Sequence, residues 1–324
     1  MASVMVTERD DVRVEGVLGS GLRIRPAPGM ERSLEGHVAH MLYKVEERKL
    51  FDRSDYASAP LREDEYSYSM RNPFIAERSD LTGKTVYPEI HIVVQSDHAK
   101  AFGYDEPTII RYFAVFLNVP EDEPYVVRDS KLKRLMKTQD TLTKFMDQFR
   151  KAKYFKEVDI IFFITGLDMF LGEPPTRAVA FSGFAFCGAA CTEYKFGESE
   201  DMPLSYDGTH LLAHEVAHLL GCVHDGDKPD TWVSPNHPGS QNCPWDDGYI
   251  MSYVLNDVNQ FKFSKCCVES MRHVFSLPTR KCLLEINSKN RISRNTRLPG
   301  FQVGAKRFCQ IMHGWKYPKA YLDP

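Results

Sequence analysis

No cysteine stands in the first 186 residues of this 324-residue chain, no asparagine opens an N-x-S/T acceptor, and no apolar run is long enough to cross a bilayer. The richest apolar stretches, residues 112–119 and 160–171, fall well short of the roughly 20 residues that a membrane helix needs. An excess of one charge is missing too. The formal net charge is −3, which gives no electrostatic case for binding nucleic acid. The opening MASVMVTERDD has neither a basic n-region nor an apolar h-region, so it does not read as a secretory signal.

What is present is a soluble globular composition, 43% apolar and 26% charged, with room for one large domain or two ordinary ones. All eight cysteines fall from Cys187 onward. An even number clustered in one half points to disulfides and an oxidising compartment, with buried free thiols as the alternative. Cysteine usage and the missing signal are reconciled if the chain begins inside a longer, secreted precursor.

Residues 1–84 are polar and irregular, with short strand-like pieces at 12–18 and 21–24, and read as a separate unit ending in a linker at 79–84. From residue 85 the texture changes. Residues 90–94 are a β-branched strand candidate, and 109–117 read as a buried helix. Asp140 or Thr141 can cap a helix that places Leu142, Phe145, Met146 and Phe149 on one face. The unbroken apolar run 158–165 predicts a central strand covered on both sides. Residues 179–186 form another strand candidate, and a last helix spans 264–275. Strands alternating with helices predict an α/β layer. Residues 288–324 are basic and lack a periodic pattern.

The chemistry sits in THLLAHEVAHLLGCVHDG, residues 209–226. Positions i and i+4 share a helix face, so His214 and His218 project together and can hold one metal ion. Glu215 lies about 100° further round, beside the coordination position left open for water. Asp207 or Thr209 can cap the helix. Gly221 ends it, because glycine takes left-handed angles cheaply, and the chain can then return His224 to the same ion. Three imidazoles and one water make an open catalytic zinc site, whereas a structural site is closed by four protein ligands. Zinc lowers the pKa of its water to roughly 7, and Glu215 takes the proton as that water attacks a peptide carbonyl. A thiolate from Cys222 would fill the water's place, so a disulfide is expected for it.

These residues resemble the metzincin metallopeptidases. H-E-x-x-H-x-x-G-x-x-H-D with Asp225 is similar to the adamalysin or reprolysin branch, and Gly248-Tyr249-Ile250-Met251-Ser252-Tyr253 resembles the Met-turn beneath the zinc ligands. The resemblance covers roughly residues 86–286 and is strongest to secreted arthropod reprolysins such as those of tick saliva or scorpion venom. It implies an α/β metzincin (zincin-like) fold with a twisted mixed sheet and an active-site helix. The implied domains are a partial propeptide-like region (1–84), a catalytic domain (85–287) and the start of a disintegrin-like or Cys-rich segment (288–324). It also implies a Cys191–Cys282 bridge, other bridges among Cys222, Cys243, Cys266 and Cys267 in an unassigned pattern, a supporting role for Asp225, and a calcium ligand in Glu89. The propeptide-like region has no cysteine, so a thiol latch on zinc is excluded, and inhibition there has to be steric or use another ligand.

Tyr253, two residues after Met251, resembles a tyrosine that lies near zinc in astacin-like metzincins, and the resemblance implies a hydroxyl able to donate to the tetrahedral oxyanion; the alternative is a tyrosine lining the pocket wall. A protein or peptide substrate is expected to lie extended along residues 179–186 as an edge strand, with residues 252–255 lining a side-chain pocket; the alternative for 179–186 is an interior strand. The expected activity is that of a secreted zinc endopeptidase. The competing readings are a catalytically silent metzincin that acts as a binding protein, and a latent zymogen.

Overall fold

The computed structural model describes residues 3–7, 12–19, 22–27, 30, 32, 37–45, 55–59, 86–104, 109, 116–118, 123–172, 182–203, 206, 208–254 and 258–287. The linker expected at 79–84 and the segment 288–324 lie outside them. The described residues fall into two compact units, 3–45 and 55–287.

The first unit is an antiparallel four-stranded sheet of β1 (Ser3–Thr7), β2 (Arg13–Gly19), β3 (Leu22–Pro26) and β4 (His40–Lys44), in that spatial order. Val4, Val14 and Ile24 form its small core.

The second unit is built on a six-stranded mixed sheet. Its strands are β5 (Tyr56–Ser58), β6 (Ile90–Val94), β7 (Phe116–Asn118), β9 (Ile160–Thr165), β11 (Gly183–Cys187) and β12 (Phe196–Glu200), in the order β5-β11-β12-β9-β6-β7. Only the β11–β12 pair is antiparallel, so β11 and β5 run against the other four strands. A parallel pair of β8 (Leu135–Lys137) and β10 (Asp168–Phe170) lies apart from it. The helices are α1 (Ser96–Lys100), α2 (Thr138–Phe149), α3 (Gly208–Leu219) and α4 (Lys265–Phe275). Among the described residues no helix is long and apolar enough to cross a membrane.

β9 shows why the fold is layered. Its side chains alternate across the sheet, and all six residues are buried. Ile160, Phe162 and Ile164 enter one core with Ile92, Val94 and Leu219, whereas Ile161 and Phe163 enter a second with Val93, Phe145 and Phe149. A strand covered on both faces needs apolar residues on both, as Ile160–Ile164 supply, and the terminal Thr165 buries its hydroxyl by donating to Gln95 Oε1 at 3.2 Å. α2 closes the second core, where Phe145 packs on Phe149 and Phe163.

Two expectations are corrected. The run 109–117 does not end as a helix, because Phe116–Asn118 is strand β7 on the free edge of β6; residues 110–115 lie outside the described set. α2 starts at Thr138, ahead of the expected caps. Thr141 is engaged elsewhere, its hydroxyl accepting the Val127 N–H at 3.0 Å, and Asp140 sits in the first turn.

Among the described residues three disulfides tie the loops: Cys191–Cys282, Cys222–Cys267 and Cys243–Cys266. Neighbours on a helix point about 100° apart, so Cys266 and Cys267 reach two different segments from the first turn of α4. Closing loops of 91, 45 and 23 residues is worth about 3–5 kcal/mol each in the chain-entropy model. Cys187 is a buried free thiol, and burial pushes its pKa well up.

Candidate active site

α3 begins at Gly208, whose N–H donates to Asp201 Oδ1 at 2.8 Å. The cap therefore comes from the residue just beyond β12 and not from Thr209; Asp207 lies outside the described residues. The helix packs on β11 and β12 and buries His214, Glu215 and His218. It stops as Gly221 turns to φ +105°, where a side chain would also strike Val274. His237 Nε2 donates to the Gly221 carbonyl at 2.8 Å and holds this turn, which carries the chain round to His224.

The three imidazoles meet edge on. His214 Nε2 lies 3.1 Å from both His218 Nε2 and His224 Nε2. The opposite ring nitrogens fix two of the tautomers. His214 Nδ1 donates to the Ile250 carbonyl and His218 Nδ1 to the Cys222 carbonyl, each at 2.7 Å. Their Nε2 lone pairs therefore face each other inside a buried site, which is repulsive unless a cation sits between them. A tetrahedral ion with bonds of about 2.0–2.1 Å spaces its ligand atoms about 3.3 Å apart, so these residues fit zinc. Carbonyl acceptors on the far ring nitrogens are the usual support for such ligands.

Glu215 is fully buried beside the cluster. A Cβ on Gly183 would overlap its carboxylate, so the bare backbone of β11 is what makes room for it. Burial pushes the Glu215 carboxyl well up, and the negative charges of Asp55 and Glu198 add to the shift. Such a group is a stronger base than an exposed glutamate.

The loop after Gly248 supports the site from below. Met251 is fully buried against Ala217, Cys222, Ile250 and Cys267, and its carbonyl accepts the Asp225 N–H at 3.0 Å. Asp225 is buried and accepts from Ser264 Oγ at 2.6 Å, while Ser264 Oγ accepts the Cys267 N–H and caps α4. Asp225 thus ties the His224 segment to α4 and to the methionine loop, instead of bonding a ligand imidazole. Burial raises its carboxyl to about 6. Tyr253 reaches the cluster: its hydroxyl lies 3.5 Å from His224 Nε2 and donates to Asp55 Oδ2. Leu255, at the end of the expected pocket segment, is outside the described residues, as are residues 179–181 of the expected edge strand.

Sequence reasoning missed Asp55. Its carboxylate lies 3.2 Å from His214 Nε2, 3.0 Å from His224 Nε2 and 3.6 Å from His218 Nε2. Burial pushes this carboxyl up, and protonated imidazoles around it outweigh that and hold it well below the usual range; beside the neutral tautomers above, its oxygens face lone pairs, a contact that a cation among them makes favourable. Tyr56 was missed as well; its ring stacks on His218 at 4.4 Å between centroids. No spacing rule links this segment to the helix. The local signal is only a short β-prone run after a charged stretch.

Two profiles of the reprolysin-like metallopeptidases, family M12B, match the chain, over residues 176–277 and 113–225. A venom metalloproteinase antarease-like protein of the scorpion Tityus trivittatus is 27% identical, over 88% of this chain and 77% of its own length. A second antarease, from Tityus serrulatus, is 26% identical with the same coverage. A Bombyx mori protein described as a disintegrin and metalloproteinase with thrombospondin motifs like is 28% identical over 78% of this chain; the chain spans 41% of its length. Among solved structures, metalloproteinase-II from Bacteroides fragilis aligns with 72% of this chain and 73% of its own at 12% identity and a TM-score of 0.38, too distant to add weight. Both family matches run through His214, Glu215, His218 and His224, and the chain is accordingly a reprolysin-type metzincin, a zinc-dependent metalloendopeptidase.

Proposed function

We propose that the chain is a secreted endopeptidase in which His214, His218 and His224 hold the zinc and Glu215 is the general base. The observation that carries this reading is the convergence of three Nε2 atoms beside one buried carboxylate. Zinc, when bound, supplies Lewis acidity to the peptide carbonyl and acidifies the attacking water. Glu215 takes the proton from that water and returns it to the leaving amine. Tyr253, with its hydroxyl at the cluster, donates a hydrogen bond to the oxygen on which negative charge grows. Gly221, Asp225 and Met251 position the ligands through the turn, the α4 cap and the packed methionine loop.

The substrate is an extended protein or peptide segment aligned on the outer edge of β11 by main-chain hydrogen bonds, with residues 252–255 lining a side-chain pocket. Secretion is supported by the three disulfides and by the venom proteins among the relatives. Residues 1–84 act as a propeptide-like region, and 288–324 begin a disintegrin-like or Cys-rich segment.

Calcium binds at Glu89 and Asp159. The Glu89 N–H donates to Asp159 Oδ2 at 2.9 Å, Glu89 Oε1 accepts the Asn287 N–H at 2.7 Å, and Asp159 Oδ1 is buried without a hydrogen-bond partner. The nearby sulfurs of Cys191 and Cys282 are committed to their disulfide, which leaves oxygen donors, as a hard cation prefers.

The test is Glu215→Gln. Measured in an Asp55→Ala background, which clears that carboxylate from the cluster, the variant keeps one zinc per chain by elemental analysis and loses about 10²–10⁴-fold in hydrolysis of a denatured protein. Full activity in the variant, or no zinc in either protein, overturns the proposal.

A further inference from the structure

The described site is not open. Asp55 occupies the side of the imidazole cluster that a hydrolytic metal site must leave to water. Its carboxylate oxygens approach all three Nε2 atoms within 3.6 Å and also take the Tyr253 hydroxyl, the donor that the proposed mechanism assigns to the oxyanion. The side chain is 7% exposed, so water does not share the position freely.

The residues that follow are built in as firmly. Tyr56–Ser58 forms strand β5 on the outer side of β11, with Tyr56 opposite Ala185, Ala57 opposite Phe186 and Ser58 opposite Cys187. The Ala185 N–H donates to the Asp55 carbonyl at 3.1 Å. Tyr56 stacks on His218, stands edge-on to His224 at 5.0 Å, and donates its hydroxyl to Asp227 Oδ2 at 3.0 Å. Ser58 Oγ donates to Asp230 Oδ2 at 2.8 Å. The segment thus covers the edge where an extended substrate would add, and it places an anionic ligand at the point of attack.

We infer that Asp55 is a fourth protein ligand of the zinc and that residues 55–58 are an internal blocking strand, which holds the intact chain latent. This rests on the zinc reading above and specifies how that same site is regulated. Residues 1–186 hold no cysteine, and a carboxylate oxygen is a competent zinc ligand in its place. The latch involves ligand exchange only, carboxylate for water, with no covalent step. Three strand pairs and two side-chain hydrogen bonds make a weak ligand in free solution. Covalent attachment raises its effective concentration to about millimolar or more, and a cut in the chain after residue 59 would abolish that advantage.

The test uses the full zinc-loaded chain and its Asp55→Ala variant, with acetohydroxamate as a small metal-directed probe followed by calorimetry. Because a closed site lowers apparent affinity by its open fraction, the variant is expected to bind the probe about 100-fold tighter than the parent. Cobalt-substituted samples give a second readout. The variant's visible spectrum should titrate near neutral pH as a bound water ionises, and the parent's should not. In case Asp55→Ala folds poorly, Tyr56→Phe and Ser58→Ala each remove one strut and leave the carboxylate in place; each should raise probe affinity several-fold. Stoichiometric zinc with equal probe affinity in the parent and all the variants overturns the latch and leaves the zinc site standing. Failure of the parent to bind zinc at all overturns the underlying reading, and the latch with it.

Discussion

Replacing Gly221 by alanine tests the turn that brings His224 to His214 and His218 in the proposed zinc site. Two separate effects oppose the substitution. The backbone sits at φ +105°, outside the region an L-residue adopts easily, and holding alanine there costs about 1–3 kcal/mol. The new methyl group would also run into Val274 Cγ2 and lie 3.1 Å from Val274 Cβ, in a core where overpacking costs about 1–3 kcal/mol. Lower entropy of the unfolded chain returns about 0.4–1 kcal/mol. The net loss is about 2–5 kcal/mol, or a fall in Tm of about 5–15 °C for a domain of this size. Calorimetric unfolding of zinc-loaded protein measures it, and a competitive zinc titration on the same samples measures how far His224 has moved. The Gly221→Ala/Val274→Ala double variant separates the two effects, since it relieves the clash and leaves the backbone strain. An unchanged Tm and zinc affinity in Gly221→Ala would refute the account of this turn. A cost that Val274→Ala does not reduce would refute the clash alone.

Other perturbations address the remaining parts of the site. In the Asp55→Ala background, where the Tyr253 hydroxyl is released, Tyr253→Phe should lower kcat about 10-fold or more with little change in KM, and an unchanged kcat removes the oxyanion role. Ser264→Ala deletes the α4 cap and the donor to Asp225 together; thermal unfolding should show a loss of about 1–3 kcal/mol, and no loss would mean that the link between the His224 segment and α4 is idle. Burial raises the Asp159 carboxyl from its ordinary 3.8 to about 6, so the folded protein binds more protons than the unfolded chain between about pH 4 and pH 6. Stability from this group therefore falls as pH rises through that window, and a cation bound to the ionised form should restore it. The rise in Tm on adding calcium is expected to be larger at pH 7 than at pH 5 and to vanish in Asp159→Asn. An equal rise at both pH values argues against this site.

The parts of the molecule that were legible in advance are those written in local periodicity. His214 and His218 share a helix face by their spacing alone, and Gly221 announces the reversal that brings in His224. The run IIFFI of β9 declares two covered faces because no polar residue interrupts it before Thr165. Phe116–Asn118 misled because an apolar aromatic stretch satisfies a helix and a strand equally; what decides is the free edge of β6, which no local window contains. The α3 cap misled for a related reason. Asp201 serves the helix from the end of β12, and its other oxygen accepts the buried His98 ring at 2.6 Å.

Asp55 is the extreme case. It contacts Tyr253 across 198 residues of sequence, and an isolated aspartate beside a tyrosine carries no chemical signature until the sheet sets β5 on β11. Spacing therefore brought together the three imidazoles proposed to hold the zinc, while the carboxylate proposed to close the site was written only in the tertiary path. That division follows from the physics of the two tasks. A catalytic centre needs its ligands held rigidly, and neighbouring turns of one helix do this most economically. A blocking segment must be able to leave, so it is best supplied by a chain segment joined to the centre through few contacts and a long connection, where no sequence rule relates the two.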